Sequence, residues 1–175
     1  MVDNLTLPTQ EHARILRAWD VLNGVLDPEV PVVSVRDLGI VRDVLPDGEG
    51  LEVVVTPTYS GCPATEMIER SICEALEAEQ LGPVRISMQR SPAWTTDWIT
   101  EEGKRKLREY GIAPPTGNAA VKEVPVTFMR RPTQLACPRC GSMHTERLSA
   151  FGSTACKALY RCLSCREPFE YFKPI

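Results

Sequence analysis

Four of the seven cysteines in this chain read Cys137-Pro-Arg-Cys140 and Cys162-Leu-Ser-Cys165, two Cys-x-x-Cys pairs with 21 residues between them. Each pair sets two sulfurs on one tight knuckle, and a second knuckle completes a tetrahedron around one metal ion. The spacing therefore predicts a zinc ribbon with Cys137, Cys140, Cys162 and Cys165 as ligands of a structural Zn²⁺. Tetrahedral iron takes the same four sulfurs and is the second choice of metal. Four protein ligands leave no open position for metal catalysis, so the ion is expected to hold the fold. Thr145–Ser149 and Lys157–Arg161 read as strands between the knuckles, and Phe169, Tyr171 and Phe172 supply a third strand and an apolar face. His144 follows the first knuckle but is not needed as a ligand, and is expected at the surface.

The rest of the chain is long enough for one ordinary domain. The charge is split: residues 1–110 carry 11 Lys+Arg against 19 Asp+Glu, and residues 111–175 carry 9 against 4. The body is thus acidic and the tail mildly basic, which fits a solvated surface or a tail that docks on an acidic one. The N-terminus shows no basic-then-apolar leader pattern, and no apolar run reaches the roughly 20 residues that span a bilayer. An odd cysteine count clustered as knuckles points to a reducing, cytoplasmic setting rather than a disulfide framework.

Periodicity predicts a helix capped by Thr9 and running to about Leu22, with Ile15, Leu16, Trp19 and Leu22 on one face and Asn23-Gly24 as its end. Asp27-Pro28-Glu29-Val30-Pro31 reads as extended, because each proline fixes φ and biases the residue before it away from helix. Ile40–Leu45 and Leu51–Thr56 read as a hairpin around Pro46-Asp47-Gly48-Glu49-Gly50, with Leu51, Val53 and Val55 on one face. A loop from Thr56 to Pro63 leads into a helix from about Ala64 to Gln80, whose expected buried stripe is Met67, Ile68, Ser71, Ile72, Ala75 and Leu76. A third strand follows at Val84–Gln89, then a loop with Trp94 and Trp98, then a charged helix over Thr100–Tyr110 stopped by Gly111. The order predicts an α+β fold, a small sandwich with helices on one face of a sheet, over residues 1–110. A proline-rich linker is expected over 111–133, with an extra strand around Val121–Met129, and the zinc ribbon over 134–175.

Three cysteines lie outside the predicted tetrad. Cys73 sits mid-helix and reads as core. Cys62 directly precedes a helix, where N–H groups and the dipole favour a thiolate; it reads as a soft-metal or cluster ligand, or else as a structural thiol. A Cys–His catalyst needs a base, and the two histidines, His12 and His144, lie in no such motif. Cys156 has no place in a four-cysteine tetrad. Asp27 and Glu29 are paired carboxylates that suit acid–base work or a turn.

Asp27-Pro28-Glu29, Asp37-Leu38-Gly39 and the segment from Thr56 to Pro63 together resemble the iron–sulfur maturation domain of the SufT-like family, shared with the eukaryotic cytosolic iron–sulfur targeting factors. Trp94-Thr95-Thr96-Asp97-Trp98 and the run from Phe151 to Cys162 narrow the resemblance to the branch with a zinc-ribbon tail, the PaaD (or PaaJ) family of phenylacetate degradation. That resemblance implies an accessory component of the multicomponent monooxygenase that converts phenylacetyl-CoA to its 1,2-epoxide. It implies help with iron–sulfur cluster assembly or delivery to the system's reductase, a transient iron–sulfur cluster, and Cys62 as the functional cysteine. Cys156, Asp27 and Glu29 are further candidates for cluster ligation or function on the same ground. Implied partners are the oxygenase and reductase subunits, with a homodimer as an option. The chain has neither the Glu-x-x-His pairs of a di-iron oxygenase nor a dinucleotide fingerprint, so it is not expected to catalyse alone. A stably bound structural or regulatory subunit is the alternative, and a nucleic-acid-binding ribbon is a remote one.

Overall fold

The computed structural model describes residues 10–59, 61–116 and 135–174. They fall into two compact units, one ending at Pro92 and the other beginning at Ala93.

The first unit contains α1 (Gln10–Leu22), β1 (Val41–Asp47), β2 (Gly50–Val55), α2 (Thr65–Ala78) and β3 (Val84–Met88). β1 and β2 form an antiparallel hairpin in which Asp47 pairs with Gly50, leaving Gly48 and Glu49 as a two-residue turn. Gly48 takes a φ of +59°, a region that favours glycine. Pro46 lies within β1, which is tolerated because β1 is an edge strand. α2 carries the chain over to β3, which pairs in parallel with β2. Strand alternation then decides the core: Leu51, Val53 and Val55 point inward and are buried, as expected from their period of two. Ile68, Ile72 and Leu76 of α2 and Ala18 and Leu22 of α1 are buried in the same unit. The outer face carries a charge cluster in which Arg85 pairs with Asp47 and Glu52.

Two apolar stripes are narrower than periodicity suggests. Met67 of α2 and Leu16 of α1 are 47% and 50% exposed: in α2 only Ile68, Ile72 and Leu76, at i, i+4 and i+8, are buried, and in α1 only Ala18 and Leu22. Ile72→Ala should cost about 2–5 kcal/mol, since Ile72 is fully buried; urea unfolding followed by hydrogen exchange of β2 amides checks this.

The segment 27–31 is not extended. The chain folds back on itself through an isolated bridge between Leu26 and Ser34, with the Asp27 N–H donating to Val33 O (2.9 Å) and the Val35 N–H to Val25 O (2.9 Å). Proline geometry suits turns as well as extended chain, and the side chain of Asp27 closes this one.

The second unit holds a short 3-10 helix (Thr96–Trp98), α3 (Glu101–Tyr110), β4 (Ile112–Ala113), β5 (Thr145–Ser149), β6 (Lys157–Cys162) and β7 (Pro168–Phe172). The strands form one sheet in the order β4-β7-β6-β5. The charged helix therefore groups with the ribbon rather than closing the first unit, because β4, which follows it directly, pairs in parallel with β7. Thr100 caps α3 by accepting the Gly103 N–H (2.9 Å), and Gly111 ends it at a φ of +100°. Trp94 is buried and its ring lies 6.1 Å from that of Phe172. The expected cap at Thr9 and strand at Val121–Met129 lie outside the described residues. Among those residues no helix is long and apolar enough to cross a membrane.

Candidate metal centre and functional cysteines

The antiparallel hairpin of β5 and β6 brings the two knuckles together, since Thr145 pairs with Cys162. The sulfurs of Cys137, Cys140, Cys162 and Cys165 all lie within 4.8 Å of one another. Two contacts cross between the knuckles: Cys137 Sγ to Cys165 Sγ is 3.8 Å, and Cys140 Sγ to Cys162 Sγ is 3.6 Å. A tetrahedral ion with bonds of about 2.3 Å needs sulfurs about 3.8 Å apart, so the four side chains fit such an ion closely. They would hold it as a closed structural site. His144 is exposed and is not part of the group.

The two knuckles are built alike. The residue after each second cysteine is left-handed, Gly141 at +72° and Arg166 at +69°. Hydroxyls of Ser142 and Ser164 meet at 2.8 Å between them. The Cys165 N–H donates to Cys162 Sγ (3.4 Å) and, against burial and with help from the Ser164 N–H, pulls that thiol down to about 6. At Cys165 the Glu167 N–H pulls downward, but burial and the three neighbouring sulfurs outweigh it and push the thiol up to about 12. One thiolate thus forms readily and hinders the next, and a cation at the centre is what lets all four ionise. Beneath the site lie Leu135, Ala158, Tyr160, Phe169 and Tyr171, with the Tyr160 and Phe169 rings stacked at 5.8 Å.

Cys62 is half-buried in the first unit, three residues before α2. Its N–H donates to Tyr59 O (3.3 Å) and its carbonyl accepts the Thr65 N–H (3.2 Å), so the backbone around the thiol is tied to the start of the helix. At the head of the same loop Thr56 is buried, and its hydroxyl has no hydrogen-bond partner among the described residues. Thr56 opens the segment that carries the family resemblance, but its burial at the end of β2 is visible only once the sheet is formed. Cys73 is half-buried rather than core; burial pushes its thiol up, and Glu77, Glu69 and Glu74 push it further.

Asp27 and Glu29 separate in role. Asp27 is 8% exposed, and its Oδ1 accepts the N–H groups of Glu29 (2.9 Å) and Val30 (2.8 Å). Glu29 is exposed. Asp37 and Ser34 cap each other reciprocally, the Ser34 N–H donating to Asp37 Oδ2 (2.9 Å) and the Asp37 N–H to Ser34 Oγ (3.0 Å). Asp27→Ala should therefore cost about 1–3 kcal/mol of stability, and Glu29→Ala no more than about 0.5 kcal/mol, as read by chemical denaturation.

Cys156 lies in the second unit, buried, with its sulfur 3.0 Å from Thr154 Oγ1. The following residue, Lys157, is also buried and pairs with Glu170 at 2.9 Å. That pair is not visible in the sequence, because it depends on the register of β6 against β7. Burial raises the Glu170 carboxyl, but the Ser153 N–H and Lys157 outweigh it and hold it below the ordinary carboxylate range.

Comparison with known proteins agrees with this two-part organisation. Residues 17–87 match the family described as iron-sulfur cluster assembly protein, and residues 122–173 match the PaaD zinc beta ribbon domain. A protein of Escherichia coli (strain K12), named as a subunit of 1,2-phenylacetyl-CoA epoxidase, is 50% identical over 96% of this chain and 95% of its own length. The chain belongs to the PaaD family of phenylacetyl-CoA epoxidase subunits. Among solved structures, a domain of unknown function, DUF59, from Bacillus anthracis shares 23% identity at a TM-score of 0.51, over 55% of this chain and 93% of its own. It supports the α+β fold of the first unit. A Mycobacterium tuberculosis protein, described as associated with Fe–S complex assembly and repair, shares 33% identity over 63% of this chain and 94% of its own, at a TM-score of 0.31. In this PaaD-family chain the ribbon carries the metal-binding cysteines, and Cys62 lies inside the assembly-domain match.

Proposed function

We propose that this chain is an accessory subunit of the multicomponent phenylacetyl-CoA 1,2-epoxidase in aerobic phenylacetate degradation. In this role it assists assembly or delivery of an iron–sulfur cluster to the system's reductase, in the cytoplasm. The observation that carries it is the position of Cys62: a half-buried thiol at a helix start, within the segment matching iron–sulfur assembly proteins and outside the metal tetrad. Holding a cluster as cargo needs soft thiolate and no general base.

The roles then divide. Cys62 is the principal ligand for the cargo, a second copy of the chain is the source of a further thiolate, and Cys156 stays a separate candidate within the second unit. Asp27 shapes the turn through its two backbone hydrogen bonds, and Glu29 is the exposed carboxylate of the pair. Zn²⁺ in the tetrad holds the ribbon, and the basic tail docks the oxygenase or reductase subunits by charge. In cells lacking the gene, purified reductase should carry much less [2Fe–2S] than reductase from the parent. Full occupancy without the gene would refute the assembly role.

The name of the Escherichia coli relative as a subunit favours a second reading, in which the chain stays bound to the oxygenase as a structural or regulatory component. Co-purification at fixed stoichiometry supports that reading, and purely transient contact counts against it.

A further inference from the structure

α3 is too short to stand alone. It has 10 residues, fewer than an isolated helix needs in water, and Gly103 within it lowers its helix propensity further. Its buried side chain is Leu107, which is fully covered.

The flanks of this helix are held by the ribbon. Upstream, Trp94 is 3% exposed and its ring lies 6.1 Å from that of Phe172 in β7. Directly downstream, β4 pairs in parallel with β7, Ile112 beside Glu170 and Ala113 beside Tyr171. Ala113 is buried in the same apolar cluster as Leu135 and two residues of the tetrad, Cys137 and Cys162. At the helix end itself, the guanidinium of Arg139 lies against Gly111: a Cβ at that position would stand 3.2 Å from Arg139 Nη2. Arg139 is part of the first knuckle, between Cys137 and Cys140, and its cation meets the negative end of the helix dipole.

We propose that metal occupancy of the tetrad switches residues 93–113 between an ordered and an unfolded state, so that α3 is a metal-dependent element of the chain. With the ion bound, the knuckle holds Arg139 against Gly111, and the sheet holds β4 and Trp94. With the ion removed, the cluster that contains Cys137 and Cys162 opens, and β4 and Trp94 lose their partners. A 10-residue helix then has too little left to stay folded. Any surface that α3 presents to another subunit exists only in the metal-loaded chain. This switch lies within the second unit and is independent of any cluster carried at Cys62.

The test uses the full-length chain, loaded with one zinc and then stripped by a strong chelator, with hydrogen exchange read peptide by peptide. Peptides within 101–113 should exchange at least about tenfold faster after stripping and regain protection when Zn²⁺ is restored, while β1, β2 and β3 do not change. Coupling is reciprocal, so Leu107→Ala, remote in sequence from the four ligands, should lower zinc affinity at least about tenfold, as read by competition with a chromophoric chelator. Should Leu107→Ala not be obtained in soluble form, Gly111→Ala, which puts a side chain at a φ of +100° against Arg139, carries the same expectation. Protection of α3 that survives stripping, loss that extends to β1, β2 and β3, or an unchanged zinc affinity in the variant would overturn the proposal.

Discussion

Cys137→Ser, or stripping the metal with a strong chelator, is expected to unfold residues 135–174 while β1, β2 and β3 stay protected from hydrogen exchange. The buried cluster of the ribbon includes Cys137 and Cys162 themselves, beside a few aromatic and small residues. So small a core does not by itself offset the entropy of ordering the chain. In small zinc modules the metal supplies about 10–16 kcal/mol of folding free energy at neutral pH, which is larger than any packing term available here. Losing one of four ligands should lower the metal content from one per chain to near zero. The part of the near-UV circular dichroism that arises from Tyr160 and Tyr171, two of the four tyrosines, should vanish with it. Acid should act in the same direction, since protonating thiolates releases the ion. A metal-free ribbon with intact exchange protection would contradict this.

Cys62→Ser is expected to have the opposite profile: function lost, fold and zinc kept. The substitution exchanges one half-buried small side chain for another, so stability should change by less than about 1 kcal/mol. Its backbone hydrogen bonds to Tyr59 and Thr65 do not use the side chain and survive the change. Reductase matured beside this variant should carry as little cluster as reductase from cells without the gene. Cys73→Ser is the matched control, because that thiol lies mid-helix with its ionisation opposed by burial and three glutamates. Equal loss in both variants would point to misfolding, and no loss with Cys62→Ser would leave Cys62 without a role in cluster transfer.

Metal spacing and strand alternation are legible in the sequence because both are local. Two Cys-x-x-Cys pairs identify the ligands whatever the intervening chain does, and Leu51, Val53 and Val55 alternate as any half-buried strand must. Features set by tertiary register are not legible. Lys157 and Glu170 meet only because β6 and β7 pair side by side, and nothing in either segment names the other. Two prolines suggest an extended segment at 27–31, whereas one aspartate side chain bonding forward to two N–H groups makes it a turn. Grouping of α3 with the ribbon depends on a two-residue strand, Ile112–Ala113, too short to register as a pattern.

Anaerobic reconstitution of the zinc-loaded chain with ferrous iron and sulfide, compared between wild type and Cys62→Ser, separates a cluster carrier from a scaffold in one experiment. Wild type should gain iron, acid-labile sulfide and visible absorbance, while Cys62→Ser gains little of any and both keep one zinc per chain. Equal uptake by the two proteins, or no uptake by wild type, would contradict a cluster-carrying role for Cys62.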